Sequence, residues 1–286
     1  MEQIANNIYV ETNYEGVNVG AIVTPKGVIA IDAPSYTRQA RDWAMRLNAL
    51  HPKGIQYTIL TDYHGDRILN TRWLNAPVIA HQATAEKLQS YDRRYPAALL
   101  ESLTARNPER GRELSHSPVQ KTAVSFDRQI SFFKGDCEIQ LLAAPGPTPG
   151  SLWVYLSQTG ILFCGDAVTT DCPPSLAEAD TAQWLDTLDR LRQKPDVSQI
   201  VPGRGALCQV DAADNVYHYI ELMRSRIETH IVEERPLADT AVYISEFISL
   251  YPNPYLPPDW LRGQIQQSLN HVYNELKTEK DGIVLA

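Results

Sequence analysis

The sharpest constraint on this 286-residue chain is the polar turn Thr61-Asp62-Tyr63-His64-Gly65-Asp66-Arg67, set directly behind the apolar run 55–60. That run is β-branched, aromatic and of strand length, and residues 68–73 behind the turn read as the start of a helix. Carboxylates, an imidazole and a guanidinium therefore share a strand-to-helix turn. Alternate side chains of such a turn converge, so Asp62, His64 and Asp66 can meet at one centre. A turn of solvated polar side chains is the other reading, and three later stretches of the same character weigh against it.

Those stretches lie at residues 144–151, 165–166 and 202–205, each behind an apolar strand. Ligand sites in open α/β arrangements gather at the carboxyl ends of strands. Four turns at one edge would bring Asp62, His64, Asp66, Arg67, Asp166 and Arg204 together. Strands are expected at 8–12, 17–23, 28–32, 55–60 and 78–80, with a tight connection at Pro25-Lys26-Gly27 and a helix over 37–50. They return at 123–126, 129–133, 136–142, 152–156, 161–164 and 199–201, with a helix over 180–192. Strands, a polar turn and a helix thus occur once on each side of about residue 120, which predicts an α/β sandwich of two halves in one domain, 1–286. Residues 83–117 form a helical insertion rich in Arg, Tyr and Pro, with a helix over 96–104. It reads either as a solvated excursion or as a lid. Residues 206–286 read as a C-terminal helical extension, with helices over 210–233, 239–250 and 259–277. Its apolar stripes (Tyr217, Ile220, Leu222, Met223 and Ile227; Ile265, Leu269, Val272 and Leu276) fit packing on the sandwich or a homodimer contact.

Lys and Arg number 26 against 34 Asp and Glu, a net charge of −8, which argues against nucleic acid or an anionic membrane as partner. Apolar runs fall short of a membrane span, and no basic-then-apolar leader opens the chain, so the cytoplasm is the expected compartment. Cys137, Cys164, Cys172 and Cys208 form no Cys-x-x-Cys pair and read as buried, reduced thiols.

Gly146, Thr148-Pro149-Gly150-Ser151, Gly165-Asp166, and Pro202-Gly203 with Gly205 hold the four turns in a familiar frame. In it the chain resembles the metallo-β-lactamase superfamily, in its glyoxalase II-like hydrolase form, over nearly its whole length. The resemblance implies an α/β fold, an αββα sandwich, here with extra C-terminal helices. It also implies a dinuclear zinc site drawn from His-x-His-x-Asp-His, Pro-Gly-His-Thr-Pro-Gly-Ser, a strand ending in Gly-Asp, and Pro-Gly-His-Gly. Position by position, this chain keeps His64, Asp66 and Asp166. It carries Asp62, Arg67, Pro147 and Arg204 where that pattern has histidines. His81 falls outside every ligand position and reads as a structural or surface residue.

Zinc favours imidazoles and thiolates, proline has no side-chain donor, and arginine stays protonated. A second metal is therefore not expected. A first would have only Asp62, His64 and Asp166, an oxygen-rich set that suits manganese or iron as well as zinc. Alternatively, Arg67, Arg204 and a protonated His64 can neutralise Asp62, Asp66 and Asp166 with no cofactor at all. On that reading the protein is a binding, regulatory or altered catalytic member of the fold, a pseudoenzyme candidate. Arg67, Arg204, Tyr63 and Thr148 would then face an anionic small-molecule ligand, unless the aspartates hold both arginines internally. The alternative is a mononuclear hydrolase of an ester, thioester or phosphate, with Asp66 and His64 catalytic. Tyr63, Ser151 and Cys164 are the candidates for a third, metal-free nucleophilic chemistry. His64, flanked by carboxylates, is expected to have a raised pKa.

Overall fold

Near-continuous apolar strands need cover on both faces, and two sheets sandwiched between helices supply it. The computed structural model describes residues 1–116, 118–135, 137–251 and 256–284. Ser117, Asp136, residues 252–255 of the expected proline-rich joint, and residues 285–286 lie outside the described residues.

The first sheet runs in chain order: β1 (Glu2–Ala5), β2 (Ile8–Glu11), β3 (Val19–Thr24), β4 (Gly27–Ile31), β5 (Ile55–Ile59), β6 (Val78–His81) and β7 (Thr122–Phe126). β1 to β4 pair antiparallel and β4 to β7 parallel. The second sheet places β8 (Gln129–Lys134), β9 (Cys137–Ala143), β10 (Leu152–Leu156), β11 (Ile161–Thr169) and β12 (Gln199–Arg204) side by side in that order. Only β11 and β12 pair parallel there. β7 pairs with β6, so the halves divide between β7 and β8, slightly later than the repeat in the sequence predicts.

Apolar residues of both sheets meet in a shared core, with Ile29, Ile31 and Ile59 on one side and Leu141, Val154 and Phe163 on the other. Each such side chain fully withdrawn from water contributes about 1.5–3 kcal/mol. On the outer face of the first sheet lies α1 (Thr37–Leu50), which buries Ala40, Trp43, Ala44 and Leu47, the stripe its periodicity predicts. Trp43 is fully buried, and truncating it to Ala would cost about 3–5 kcal/mol.

After β5 comes a single helical turn, α2 (Gly65–Ile68), and after β6 the insertion with α3 (Gln82–Ser90), α4 (Ala97–Arg106) and α5 (Pro108–Gly111). The insertion is fastened over α2. Tyr95, Leu103 and Leu114 bury with Ile68 and Leu69, and Tyr95 Oη donates to Ile68 O at 2.9 Å. The second sheet's outer face carries α6 (Thr181–Arg192), α7 (Ala212–Val232), α8 (Ile244–Leu250) and α9 (Pro258–Val284). Ile220, Met223, Ile227, Ile265, Leu269, Val272 and Leu276 all bury against that face, while Tyr217 and Leu222 are only partly covered. The apolar stripes therefore pack on the sandwich. No helix among the described residues is long and apolar enough to cross a membrane.

Candidate functional site

The turn behind β5 is shaped by its own side chains. The backbone N–H of His64 donates to Asp62 Oδ1 at 2.9 Å, a local bond that folds the loop and brings both side chains to one side. The helix expected from residue 68 starts earlier and lasts one turn, so Asp66 and Arg67 sit on α2 itself. Beyond its end Thr71 Oγ1 donates back to Ile68 O at 3.0 Å, and a 3-10 turn follows at Thr71–Leu74.

Asp166 and Arg204 reach the same place from the second sheet. Both were expected in turns, yet β11 and β12 continue through them, with register shifts at Gly165 and before Thr169. Gly165 adopts φ +56°, which re-aims the strand at the point where Asp166 must face the site. Gly203 leaves room for a close approach, since a Cβ there would collide with Asp166 Oδ1 and Arg67 Nη2. Asn18 pins this end of β12, donating from Nδ2 to Pro202 O at 2.9 Å and to Gly205 O at 2.8 Å. The Pro-Gly-rich loop is tied in by Leu152 N, which donates to Thr61 O at 2.8 Å.

Arg67 is the hub. Its side chain is fully buried, and its guanidinium donates from Nε to Asp62 (3.2 Å), from Nη1 to Asp32 (2.7 Å) and from Nη2 to Asp166 Oδ1. Arg204 donates from Nη1 to Asp66 Oδ2 at 2.6 Å and from Nη2 to Asp166 Oδ2 at 3.0 Å. His64 Nδ1 lies 3.1 Å from Asp62 Oδ2 and 3.0 Å from Asp166 Oδ2. The structure thus gathers all six turn residues marked in the sequence, and both arginines bind aspartates. Asp32 joins them unannounced. Its only signal in the sequence is an aspartate directly after an apolar run, with no motif around it.

Electrostatics follow from this packing. Burial pushes Asp32 up to about 6, although Arg67 pulls the other way. For Asp166, burial is outweighed by the charges of Arg204 and Arg67, which hold it well below the usual carboxylate range. Asp66 is lowered in the same way, mainly by Arg204 against burial. Burial would lower His64, but Asp62 and the bonds to Asp166 and Asp62 prevail and hold it well above its ordinary value, as its flanking carboxylates predict.

The remaining candidates lie around this cluster. Tyr63 is nearly buried, edge-on to His64 at 6.4 Å between ring centres, with Lys87 Nζ 5.3 Å from its ring. Thr148 is fully buried, its hydroxyl shared with Ser151 Oγ at 3.0 Å and accepting from Gly150 N at 3.2 Å. Both hydroxyls therefore brace the loop. Cys164 is buried and its thiol pushed up by that burial, a poor nucleophile. All four cysteines are free. His81 is structural: Nδ1 accepts from Ala83 N at 3.1 Å at the start of α3, and Nε2 meets Asp127 O at 2.6 Å.

Asp62, His64 and Asp166 each place one ligand atom within 4.8 Å of the others, a group that could hold one metal ion. Its donors are one nitrogen and two carboxylate oxygens, and guanidinium N–H groups already approach both carboxylates. For a second ion, Arg67 and Arg204 bring charge of the wrong sign, and no lone pair.

Residues 13–204 match the metallo-beta-lactamase superfamily. Curated relatives include hydroxyacylglutathione hydrolases from Thermosynechococcus vestitus, 38% identical over 66 residues (23% of this chain), and from a Synechococcus strain, 31% over 107 residues (37%). The matched stretches span only 26% and 39% of those relatives' own lengths. Among solved structures, a metallo-beta-lactamase family protein from Thermus thermophilus shares the fold at TM-score 0.68 and 17% identity, over 98% of this chain and 95% of that one. The sec-alkylsulfatase Pisa1 from Pseudomonas sp. aligns at TM-score 0.72 and 14% identity, over 95% of this chain and 49% of its own. The match across residues 13–204, on two sheets between helices with the four turns at one edge, places this chain in the metallo-beta-lactamase superfamily.

Proposed function

We propose that this chain is a metal-free member of its superfamily, in which an arginine–aspartate cluster replaces the dinuclear zinc centre and the cleft binds a small anionic molecule. The observation that carries this reading is Arg67, wholly buried and hydrogen-bonded to Asp32, Asp62 and Asp166 at once. A guanidinium held by three carboxylates delivers fixed positive charge where a cation would otherwise be needed. Breaking one partner of such a buried pair costs about 3–5 kcal/mol, so the cluster holds three of the four turns together, those at 62–67, 165–166 and 202–205. With the ligands of the first metal reduced to Asp62, His64 and Asp166, Pro147 supplies nothing in place of a further imidazole.

A second reading has its own support. Asp62, His64 and Asp166 converge closely enough to hold one divalent ion, and the curated relatives are named as hydroxyacylglutathione hydrolases. A mononuclear hydrolase acting on a small thioester, ester or phosphate would use that group, with Asp66 orienting the attacking water.

Elemental mass spectrometry on protein purified without chelator separates the two. The cluster reading expects far less than one transition metal per chain, before and after incubation with zinc or manganese. Near-stoichiometric metal that disappears in Asp62→Ala or His64→Ala would overturn it in favour of the hydrolase.

A further inference from the structure

Arg67 and Arg204 are both engaged by aspartates, so neither is a ready receptor for the anionic ligand just proposed. A third arginine is. Arg106, at the end of α4, keeps 10% of its side chain exposed, and its guanidinium makes no hydrogen bond among the described residues. Its ion pair with Asp66 Oδ2 is long, 4.0 Å. The guanidinium carbon stands 5.2 Å from the ring centre of Trp260, on α9. A cation enclosed to this degree normally finds acceptors for its five N–H groups. Here the donors border a cavity of about 100 Å³ walled by Arg106, Arg204, Trp260, Thr170 and Gln264. That is room for roughly three waters, or one small oxyanion. The cavity adjoins an open groove of about 910 Å³ that Arg106 also borders, together with Glu15, Arg110 and Asn107.

We propose that Arg106 is the anchor of an oxyanion subsite, taking a carboxylate or phosphate head group in the small cavity while the remainder of the ligand lies in the groove. The guanidinium fork suits two oxygens of either head group. The Trp260 ring walls one side, so the insertion and the C-terminal extension jointly frame the pocket. Asp171 borders both spaces and Glu15 the groove. Glu15 is itself paired with Arg110 at 3.1 Å and accepts from Asn107 Nδ2 at 2.9 Å. The subsite deepens the proposed anion-binding role and rests on it.

The test is an NMR titration of the full chain with acetate and, separately, inorganic phosphate, following the Trp260 indole N–H, with chloride at matched ionic strength as control. Saturable shifts with an affinity at least tenfold weaker in Arg106→Gln are expected, and a smaller loss in Arg106→Lys, which keeps the charge but not the fork. The anion that saturates at lower concentration identifies the head group. If Arg106→Gln does not fold, Arg106→Lys carries the comparison on the same Trp260 resonance. Undiminished binding in the folded variants, or no saturable binding of either anion to the unaltered chain, overturns the subsite. Metal content of the same samples keeps the two readings apart. A metal-loaded protein that binds anions through Arg106 sinks the metal-free reading alone, a metal-free protein whose anion binding is undiminished in Arg106→Gln sinks the subsite alone, and a metal-free protein that binds no anion sinks the subsite together with the anion-binding role.

Discussion

Arg67 Nη1 and Asp32 Oδ2 share a 2.7 Å hydrogen bond across 35 residues of sequence, with neither side chain open to solvent beyond 3%. The bond ties the chain just beyond β4 to α2. Asp32 is itself held by Thr61, whose N–H donates to Oδ1 at 2.8 Å and whose hydroxyl donates to Oδ2 at 2.6 Å. The pair thus extends the metal-motif region inward by one carboxylate and gives Arg67 three anions to satisfy.

Removing that guanidinium leaves three buried carboxylates short of a counter-charge. Arg67→Ala is therefore expected to lose about 3–5 kcal/mol of stability, read as a lowered urea midpoint. Arg67→Lys should fall between, because one ammonium cannot span three carboxylates with the reach of a planar fork. A midpoint unchanged in Arg67→Ala would mean that the cluster contributes nothing to holding the turns.

The cluster also dictates the pH profile. Asp32, raised to about 6, favours its neutral form in the fold. Its contribution is complete below its unfolded value near 3.9 and is lost as pH rises through 6, roughly 3 kcal/mol over that interval. His64 is raised too. Its stabilisation is complete below about 6.5 and lost as pH climbs through the raised value. Asp66 and Asp166 are lowered, so theirs is present above about 3.9 and lost only as pH falls through the depressed values. Urea midpoints measured from pH 4 to 9 should fall less steeply between 4 and 6 in Asp32→Asn than in the unaltered chain. Equal slopes would show that Asp32 titrates normally. NMR titration of His64 supplies the second arm, where a value at or below about 6.5 contradicts the geometry.

Much of this was legible in the sequence, and the failures have physical causes. Apolar runs located every strand except β1, whose residues are exposed or only partly buried. The polar turns marked six of the seven cluster residues. Asp32 escaped because its partner lies far along the chain, and pairing of that kind leaves no local spacing to detect. Arg106 escaped for a related reason. It lies in an Arg-rich segment with no local motif, and what distinguishes it from neighbouring arginines is the cavity that Trp260 and Gln264 of α9 help to wall. The ends of β11 and β12 lie beyond where the sequence predicts them because Gly and Pro usually stop a strand, whereas here register shifts let parallel pairing continue past them.

Gly203 provides a compact check on the packing around Arg67. Its missing side chain is the space through which Asp166 and Arg67 meet. Gly203→Ala should push the pair apart and cost about 1–3 kcal/mol, typical of overfilling a packed site. In the double variant with Arg67→Ala the added cost should shrink without vanishing, because the guanidinium is gone while Asp166, the other group struck, remains but is freer to move. Full additivity of the two changes would place the strain elsewhere.

The most demanding prediction concerns restoring the imidazoles. The combined substitutions Asp62→His, Arg67→His, Pro147→His and Arg204→His return donors to all four positions where the superfamily pattern has them. They also remove both guanidinium charges. Asp32 would keep its two bonds from Thr61, so the fold retains support where Arg67 is lost. The fourfold variant is expected to gain stoichiometric zinc by elemental analysis, with a melting temperature that rises on zinc addition. Asp62→His with Pro147→His alone should gain little, because Arg67 still fills the space between Asp32, Asp62 and Asp166 and repels a cation. Tight zinc binding by that double variant would show that missing imidazoles, and not the buried guanidinium, are what keep the metal out.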